Sequence, residues 1–260
     1  MGEADYILGV KIQRDRSKKL LSLSQETYIK KMLERFRMNG CKSMDTPIAR
    51  GETLSLEMCP KTENEKKDMS RVPYSSVVRS LMYVMMCTRP NICYIVSLVS
   101  RYQSNPGRDH WKAVKRIFRY LKGTADYSLC YSGNDLYLRG YTDVDWAGDR
   151  NDRKSTSGYA FLLNGGTISW KSKKQTYIAL STMETEFVAC ASVVQEVVWL
   201  KRFFEHLDIT KNSQGPMTLY CDSQAAIAYT KDPKYHNKTK YIDIKYNFVI
   251  DMVASGEINL

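Results

Sequence analysis

The sequence predicts a mixed α+β (α/β) protein in two parts, a largely helical first half and a second half in which strands and helices alternate. Three observations carry this. Between residues 25 and 122 apolar side chains recur at helical spacing. From about residue 127 the period shortens to two, and Asn164-Gly165-Gly166 marks a tight turn between two strand-like runs. A long amphipathic stretch from Met183 to His206 then separates those strands from another, MTLYCD.

The elements follow in order. DYILGVKI and LLSLS flank the charged turn QRDRSKK and predict a hairpin. Gln25 to Phe36 reads as a helix with Tyr28, Ile29, Met32, Leu33 and Phe36 on one face. Residues 40–72, with Pro47, Gly51, Pro60 and many charges, read as loop. Three helices should follow, one over about 75–87, one starting at Pro90 and one over about 109–122 that stops at Gly123. The last carries Trp111, Val114, Ile117, Phe118 and Leu121 on one face and Lys112, Lys115, Arg116, Arg119 and Lys122 largely on the other. That basic face suits phosphates or plain solvent. Strands are expected in YSLCYS, DLYLRGYTDVDW, GYAFLLNGG and TISWKS. Ser181 and Glu184 have capping-box spacing at the head of the long helix. MTLYCD then forms a strand, SQAAIAYTK a short helix and YIDIKYNFVIDMVAS a longer one, and EINL begins a final strand.

Composition narrows the class. The 260 residues are 43% hydrophobic and 26% charged, a globular rather than a disordered balance. Thirty-nine Lys and Arg against 28 Asp and Glu give a net charge of +11, which fits an anionic partner such as nucleic acid, or an inert basic surface. Seven cysteines, at 41, 59, 87, 93, 130, 190 and 221, include no CxxC pair, and the three histidines lie away from them. This argues for a reducing intracellular compartment and against a zinc site or disulfide frame. No signal peptide is legible. The most apolar stretch is interrupted by Arg89, Pro90 and Asn91, leaving pieces too short to span a bilayer, which takes about 20 residues. A cytoplasmic or nuclear protein without a membrane partner is expected.

Three acids stand in settings that suit metal-dependent chemistry. Asp143 ends the strand-like run LYLRGYTD, with Asp145 as a competitor on the same strand face and Asp149 nearby. Glu184 and Glu186 open the long helix. Capping accounts for Glu184, which leaves Glu186 to face the sheet. Asp222 ends MTLYCD, where it is either a ligand or the cap of the following helix. Carboxylates from a strand, a helix start and a second strand can converge at one sheet edge. Three of them held ionised together repel unless a divalent cation is present. No Ser–His–Asp set or phosphate-binding Gly-rich loop competes.

Longer motifs carry a resemblance. YTDVDWAGDRNDRKSTSGYAFLLNGGTISWKSKKQTYIALSTMETEFVA and LYCDSQAAIAYTKDPKYHNKTKYIDI resemble the ribonuclease H domain of copia-type retrotransposon polyproteins. YILGVKIQRDRSKKLLSLSQETYIKKMLERF and SLMYVMMCTRPNICYIVSLVSRYQSNPGRDHWKAVKRIFRYLKGT resemble the end of the reverse transcriptase palm and its thumb in the same family. The resemblance implies two domains. Residues 1–135 would be the end of the reverse transcriptase, without the Tyr-x-Asp-Asp turn and so unable to polymerise DNA alone. Residues 136–260 would be a ribonuclease H-like five-stranded mixed sheet with flanking helices, cut at its last strand. The implied activity is cleavage of the RNA strand of RNA–DNA hybrids with two Mg²⁺ or Mn²⁺ ions. Asp143 would bridge both ions, and Glu186 and Asp222 would each complete one site. The family's fourth acid is expected beyond residue 260. Asp243 is an early substitute on another element, and loss of activity by truncation is the consequence to test. Tyr241 and Phe187 depart from the family's usual residues, and MGEAD resembles the interior of a palm motif. Lys154, Ser155 and Thr156, with Lys171, Lys173 and Lys174, are candidates for nucleic-acid contact on charge and position. The rival expectation is a non-catalytic relic that binds nucleic acid.

Overall fold

The computed structural model describes residues 2–133, 136–179, 181–207, 216–224, 227–228 and 240–259, with the backbone alone for 240–246. The chain divides into two compact units, residues 1–132 and residues 133–260.

The first unit combines a four-stranded antiparallel sheet with helices. β1 (Tyr6–Ile7), β2 (Val10–Asp15), β3 (Leu20–Ser24) and β4 (Ser128–Ser132) lie in chain order across the sheet. The expected hairpin is β2–β3, and YSLCYS pairs with β3, which ties that strand to the first unit. The helices are α1 (Glu26–Arg35), α2 (Glu63–Ser70), α3 (Tyr74–Thr88), α4 (Cys93–Ser100) and α5 (Arg108–Gly123). Their apolar faces meet in one core that includes Ile29, Leu33, Leu81, Val96, Ile117 and Phe118. The basic face of α5 stays outside that core, as its period requires.

Three elements differ from expectation. DYILGVKI is not one strand but two, β1 and the start of β2, joined by a turn in which Leu8 and Gly9 both take positive φ. The stretch read as loop contains α2, whose start is a full capping box between Thr62 and Glu65. Its charged sequence buries only Met69, so it carries no apolar period to read. Pro90 opens a 3₁₀ turn, Pro90–Ile92, and the α-helix proper begins at Cys93. His110 is wholly buried in this unit. Its Nδ1 accepts from the Gly107 N–H at 2.9 Å, its Nε2 lies 3.1 Å from the Ser55 carbonyl, and its ring stacks on Tyr102. Burial lowers its pKa, and its ring nitrogens are committed to packing α5.

The second unit is built on a five-stranded mixed sheet in the order β7-β6-β5-β8-β9. β5 (Arg139–Asp145), β6 (Thr156–Leu163) and β7 (Gly166–Lys174) form an antiparallel meander. Asn164 and Gly165, both at positive φ, make the two-residue turn between β6 and β7 that the sequence predicts. β8 (Met217–Cys221) runs parallel to β5, and β9 (Ile258–Asn259) parallel to β8. Parallel neighbours need a crossover. The helices α6 (Thr182–His206) and α7 (Lys240–Ala254) supply them. This is the expected ribonuclease H-like arrangement of a mixed sheet with flanking helices. Its core joins Phe161 and Leu219 of the sheet to Phe187, Val194, Val197 and Leu200 of α6. The expected helix SQAAIAYTK lies largely outside the described residues, as do the side chains of Tyr241 and Asp243.

Gly140 shows how tightly side chains of the neighbouring strands β6 and β8 close over the central strand. A Cβ there would stand 2.7 Å from the Phe161 ring and 2.9 Å from Leu219 Cδ1, both wholly buried side chains. Gly140→Ala is therefore expected to cost about 1–3 kcal/mol through overpacking. Urea denaturation checks this, and an unchanged midpoint would mean that the sheet relaxes freely.

Candidate metal centre

The site is assembled from three chain segments. In the parallel pairing of β5 with β8, Thr142 faces Cys221. The residues that follow each, Asp143 still within β5 and Asp222 just past β8, therefore stand on adjacent strands near the same sheet end. Glu186 comes from the second turn of α6. That turn is held over the strand ends by a buried hydrogen-bonded group. The Ser155 hydroxyl accepts from the Ala147 N–H at 3.0 Å and meets Thr185 Oγ1 at 3.4 Å. Gln175 donates from Nε2 to the Thr185 carbonyl at 3.1 Å. Ser155 and Thr185 are essentially inaccessible, so the loop after β5 and the start of α6 are locked together.

The choices left open at sequence level can now be read from geometry. Asp143 is exposed, and its Oδ1 accepts from the Val144 N–H at 2.8 Å. Its charge reaches Glu186. Asp145 is also exposed, but its carboxylate folds against Gly148, where a Cβ would lie 1.9 Å from Oδ2. At the helix start, the Ser181 hydroxyl accepts from the Glu184 N–H at 3.2 Å, so Glu184 belongs to the cap. After β8, the Ile227 N–H bonds the Ser223 carbonyl at 3.1 Å, which makes Ser223 the residue that opens the next turn and releases Asp222 from that role.

Glu186, Cys221 and Asp222 offer ligand atoms that all lie within 4.8 Å of one another. Glu186 Oε2 is buried and has no hydrogen-bond partner among the described residues. Burial, then Cys221, Asp222 and Asp143, push the Glu186 carboxyl up to about 7. Such an oxygen is the kind of group a cation would satisfy. The carboxylates of Asp143, Glu186 and Asp222 are hard donors suited to Mg²⁺ or Mn²⁺. Glu186 and Asp222, with Cys221 beside them, thus fit a divalent-ion site, while the Asp143 carboxylate stands outside that 4.8 Å group and reaches it through its charge.

Cys221 is the member that sequence reasoning missed. Its thiol sits 3.9 Å from that of Cys190 on α6 and accepts from the Ser223 N–H at 3.4 Å. The Cys190 thiol stabilises the Cys221 thiolate and brings Cys221 down to about 7 against burial and the nearby acids, while Cys190 itself is pushed up. The signal was available, since Cys221 directly precedes Asp222 at a strand end. Its lack of any CxxC partner hid it, because Cys190 is 31 residues away.

The residues expected to contact nucleic acid divide. Ser155 and Thr156 are buried, and Ser155 belongs to the packing group just described. Lys154 pairs with Asp152 at 3.3 Å, and Lys174 pairs with Asp149 at 3.1 Å and Asp152 at 3.2 Å. Burial raises Asp149, but the Lys174 ammonium and the N–H groups of Asn151 and Asp152 outweigh it and hold Asp149 at about 2. These two lysines therefore brace the loop. Lys171 and Lys173 are exposed, and among the described residues no carboxylate pairs with either.

No family model matches the chain. Among curated proteins, it is 50% identical over all 260 residues to the retrovirus-related Pol polyprotein from transposon TNT 1-94 of Nicotiana tabacum, covering 19% of that protein. It is 36% identical over 256 residues to the retrovirus-related Pol polyprotein from transposon RE2 of Arabidopsis thaliana, covering 17%. It is also 48% identical over 133 residues to the secreted RxLR effector protein 161 of Plasmopara viticola, which spans 51% of this chain and 94% of that protein. The chain thus spans about a fifth of the length of the two polyproteins it matches end to end.

Proposed function

Since the chain belongs to the retrovirus-related Pol polyproteins of copia-type transposons, we propose that its second unit is a ribonuclease H-type nuclease that hydrolyses the RNA strand of RNA–DNA hybrids. The observation that carries this reading is the buried, partnerless Glu186 oxygen beside Asp222, within reach of the Asp143 charge. Asp143, Glu186 and Asp222 would hold two Mg²⁺ or Mn²⁺ ions. Bound there, the ions would supply a hydroxide nucleophile and neutralise the leaving oxygen. The chain's own contribution is placement. The Ser155–Thr185–Gln175 group holds α6 against the strand ends, and the β5–β8 register sets Asp143 beside Asp222. With its carboxyl pushed up to about 7, Glu186 is mostly protonated in the metal-free protein below neutral pH, and that proton would have to leave for its oxygen to coordinate an ion.

The net charge of +11, and Lys171 and Lys173 with no carboxylate partner among the described residues, favour a second, weaker reading, nucleic-acid binding without chemistry. One experiment separates the two. A labelled RNA–DNA hybrid incubated with the protein and Mn²⁺ is expected to lose its RNA strand, and Asp143→Asn to slow this at least about 100-fold. A hybrid that is bound and left intact by both proteins would sink the nuclease reading and leave binding.

The first unit includes no second candidate centre among its described residues. No helix of the described residues is long and apolar enough to cross a membrane.

A further inference from the structure

A groove of about 540 Å³ runs between the edge strand β7 and helix α6, apart from the acids. Three features of it have no role in the metal centre. The first is its charge. Lys171 and Lys173 line it, are exposed, and have no carboxylate partner among the described residues. Opposite them on β6 stand Tyr159 and Ser157, so both lysines project from the sheet face that α6 covers. Two residues along a strand span about 6.7 Å, close to the spacing of successive phosphates in one nucleic-acid strand.

The second feature is an aromatic platform. Trp199, at the far end of the groove, is 57% exposed and stacks nearly parallel on Phe203, with ring centroids 5.2 Å apart and planes at 7°. A buried indole would need no explanation, whereas a large exposed one lining the same groove as two lysines with no carboxylate partner among the described residues fits a stacking surface for a base. The third feature is direction. Ala189, Val193 and Glu196 line the groove and follow Glu186 at three, seven and ten residues, along one stripe of α6. The groove therefore starts beside a candidate metal ligand and extends about 15 Å along the helix to Glu196. Glu196 is the groove's carboxylate on this stripe, and it accepts from the Ser169 hydroxyl at 2.7 Å. It is an acceptor suited to a base edge rather than to a phosphate.

We propose that the groove between β7 and α6 binds a single strand of nucleic acid, with successive phosphates on Lys171 and Lys173 and a base stacked on Trp199. The assignment needs no cleavage, so it stands or falls apart from the nuclease reading. Stacking on an aromatic and point-charge contacts to phosphates are both indifferent to sequence, so weak sequence preference follows.

The test is binding of a labelled single-stranded oligonucleotide to the full chain in excess chelator, followed by fluorescence anisotropy over a salt series. Lys171→Glu with Lys173→Glu is expected to weaken binding at least tenfold. It should also lower the slope of log affinity against log salt by about 1.4, the value for two single-strand phosphate contacts. Trp199→Ala is expected to weaken binding about fivefold or more. The milder pair Lys171→Gln with Lys173→Gln should show a loss of the same sense, and circular dichroism reports whether each variant folds. The charge-matched pair Lys66→Glu with Lys67→Glu, on α2, serves as control. An unchanged salt slope in the groove variant would overturn the proposal, as would an equal loss in the control. Unchanged affinity in Trp199→Ala with loss of self-association would assign the aromatic pair to a protein contact and overturn it as well. Cleavage of the hybrid is scored separately, so an inactive protein that binds through the groove and an active one that does not are distinguishable.

Discussion

Glu186→Gln is expected to abolish metal-dependent cleavage of the hybrid, by at least about 100-fold, and at the same time to stabilise the metal-free protein above neutral pH. The first effect follows from removing a ligand charge, the second from burial. Burial and the neighbouring acids push the Glu186 carboxyl up to about 7 in the folded protein from its ordinary value of 4.5. The folded state therefore binds this proton more tightly than the unfolded chain does. Stability must then fall as pH rises from about 4.5 through about 7, and level off above it. Unscreened, the shift corresponds to about 3 kcal/mol. Solvent around a site that also contains the exposed Asp143 and Asp222 reduces this to about 1 kcal/mol. Gln keeps the shape of the protonated acid and cannot ionise. Its advantage should be about 1 kcal/mol at pH about 8 and shrink as pH falls toward about 4.5. Urea denaturation in chelator at the two ends of that range measures it. A gain of equal size at both ends would mean that charge burial is not its cause.

Mn²⁺ affinity is expected to weaken about tenfold for each pH unit below about 7, because one proton must leave Glu186 before its oxygen can coordinate. Above that pH the dependence should flatten. At an ion concentration about 100 times the dissociation constant, the bound form gains about 2.7 kcal/mol, so thermal unfolding with and without Mn²⁺ follows the same equilibrium. In Asp143→Asn the affinity should drop while the pH dependence persists, since Glu186 still carries the proton. In Glu186→Gln both affinity and pH dependence should go. Affinity in the unchanged chain that ignores pH between about 5 and 8 would place the ion on other residues.

Much of the fold was open to reading because its signals are local. The period-two runs, the Asn164–Gly165 turn and the amphipathic length of α6 each depend on residues close in sequence, and all reappear at their expected places. The helix α2 escaped because its capping box lies in a charged stretch that buries one apolar side chain. The α4 start was displaced because Pro90 opens a 3₁₀ turn rather than the helix itself. At the site, Asp143, Glu186 and Asp222 could be named as strand-end and helix-start acids. Their competitors Asp145 and Glu184 could be set aside only when one was seen against Gly148 and the other in the cap.

Residue order along this chain was enough to say which segments are helix or strand and which carboxylates stand at segment ends, because backbone preference and side-chain period act over a few residues. Whether those ends meet is a different matter. The parallel register that sets Thr142 opposite Cys221 joins strands separated by about 75 residues. The Cys190–Cys221 thiol contact, the buried Ser155–Thr185 contact and the Lys174–Asp149 pair likewise join residues from different elements, beyond the reach of any local period. Desolvation of the Glu186 carboxyl is a property of that whole assembly, since a low-dielectric site exists only once α6 has closed on the sheet. Lys174 is bound to Asp149 and Asp152, whereas Lys171 and Lys173 have no carboxylate partner among the described residues, although the three lie within four consecutive residues.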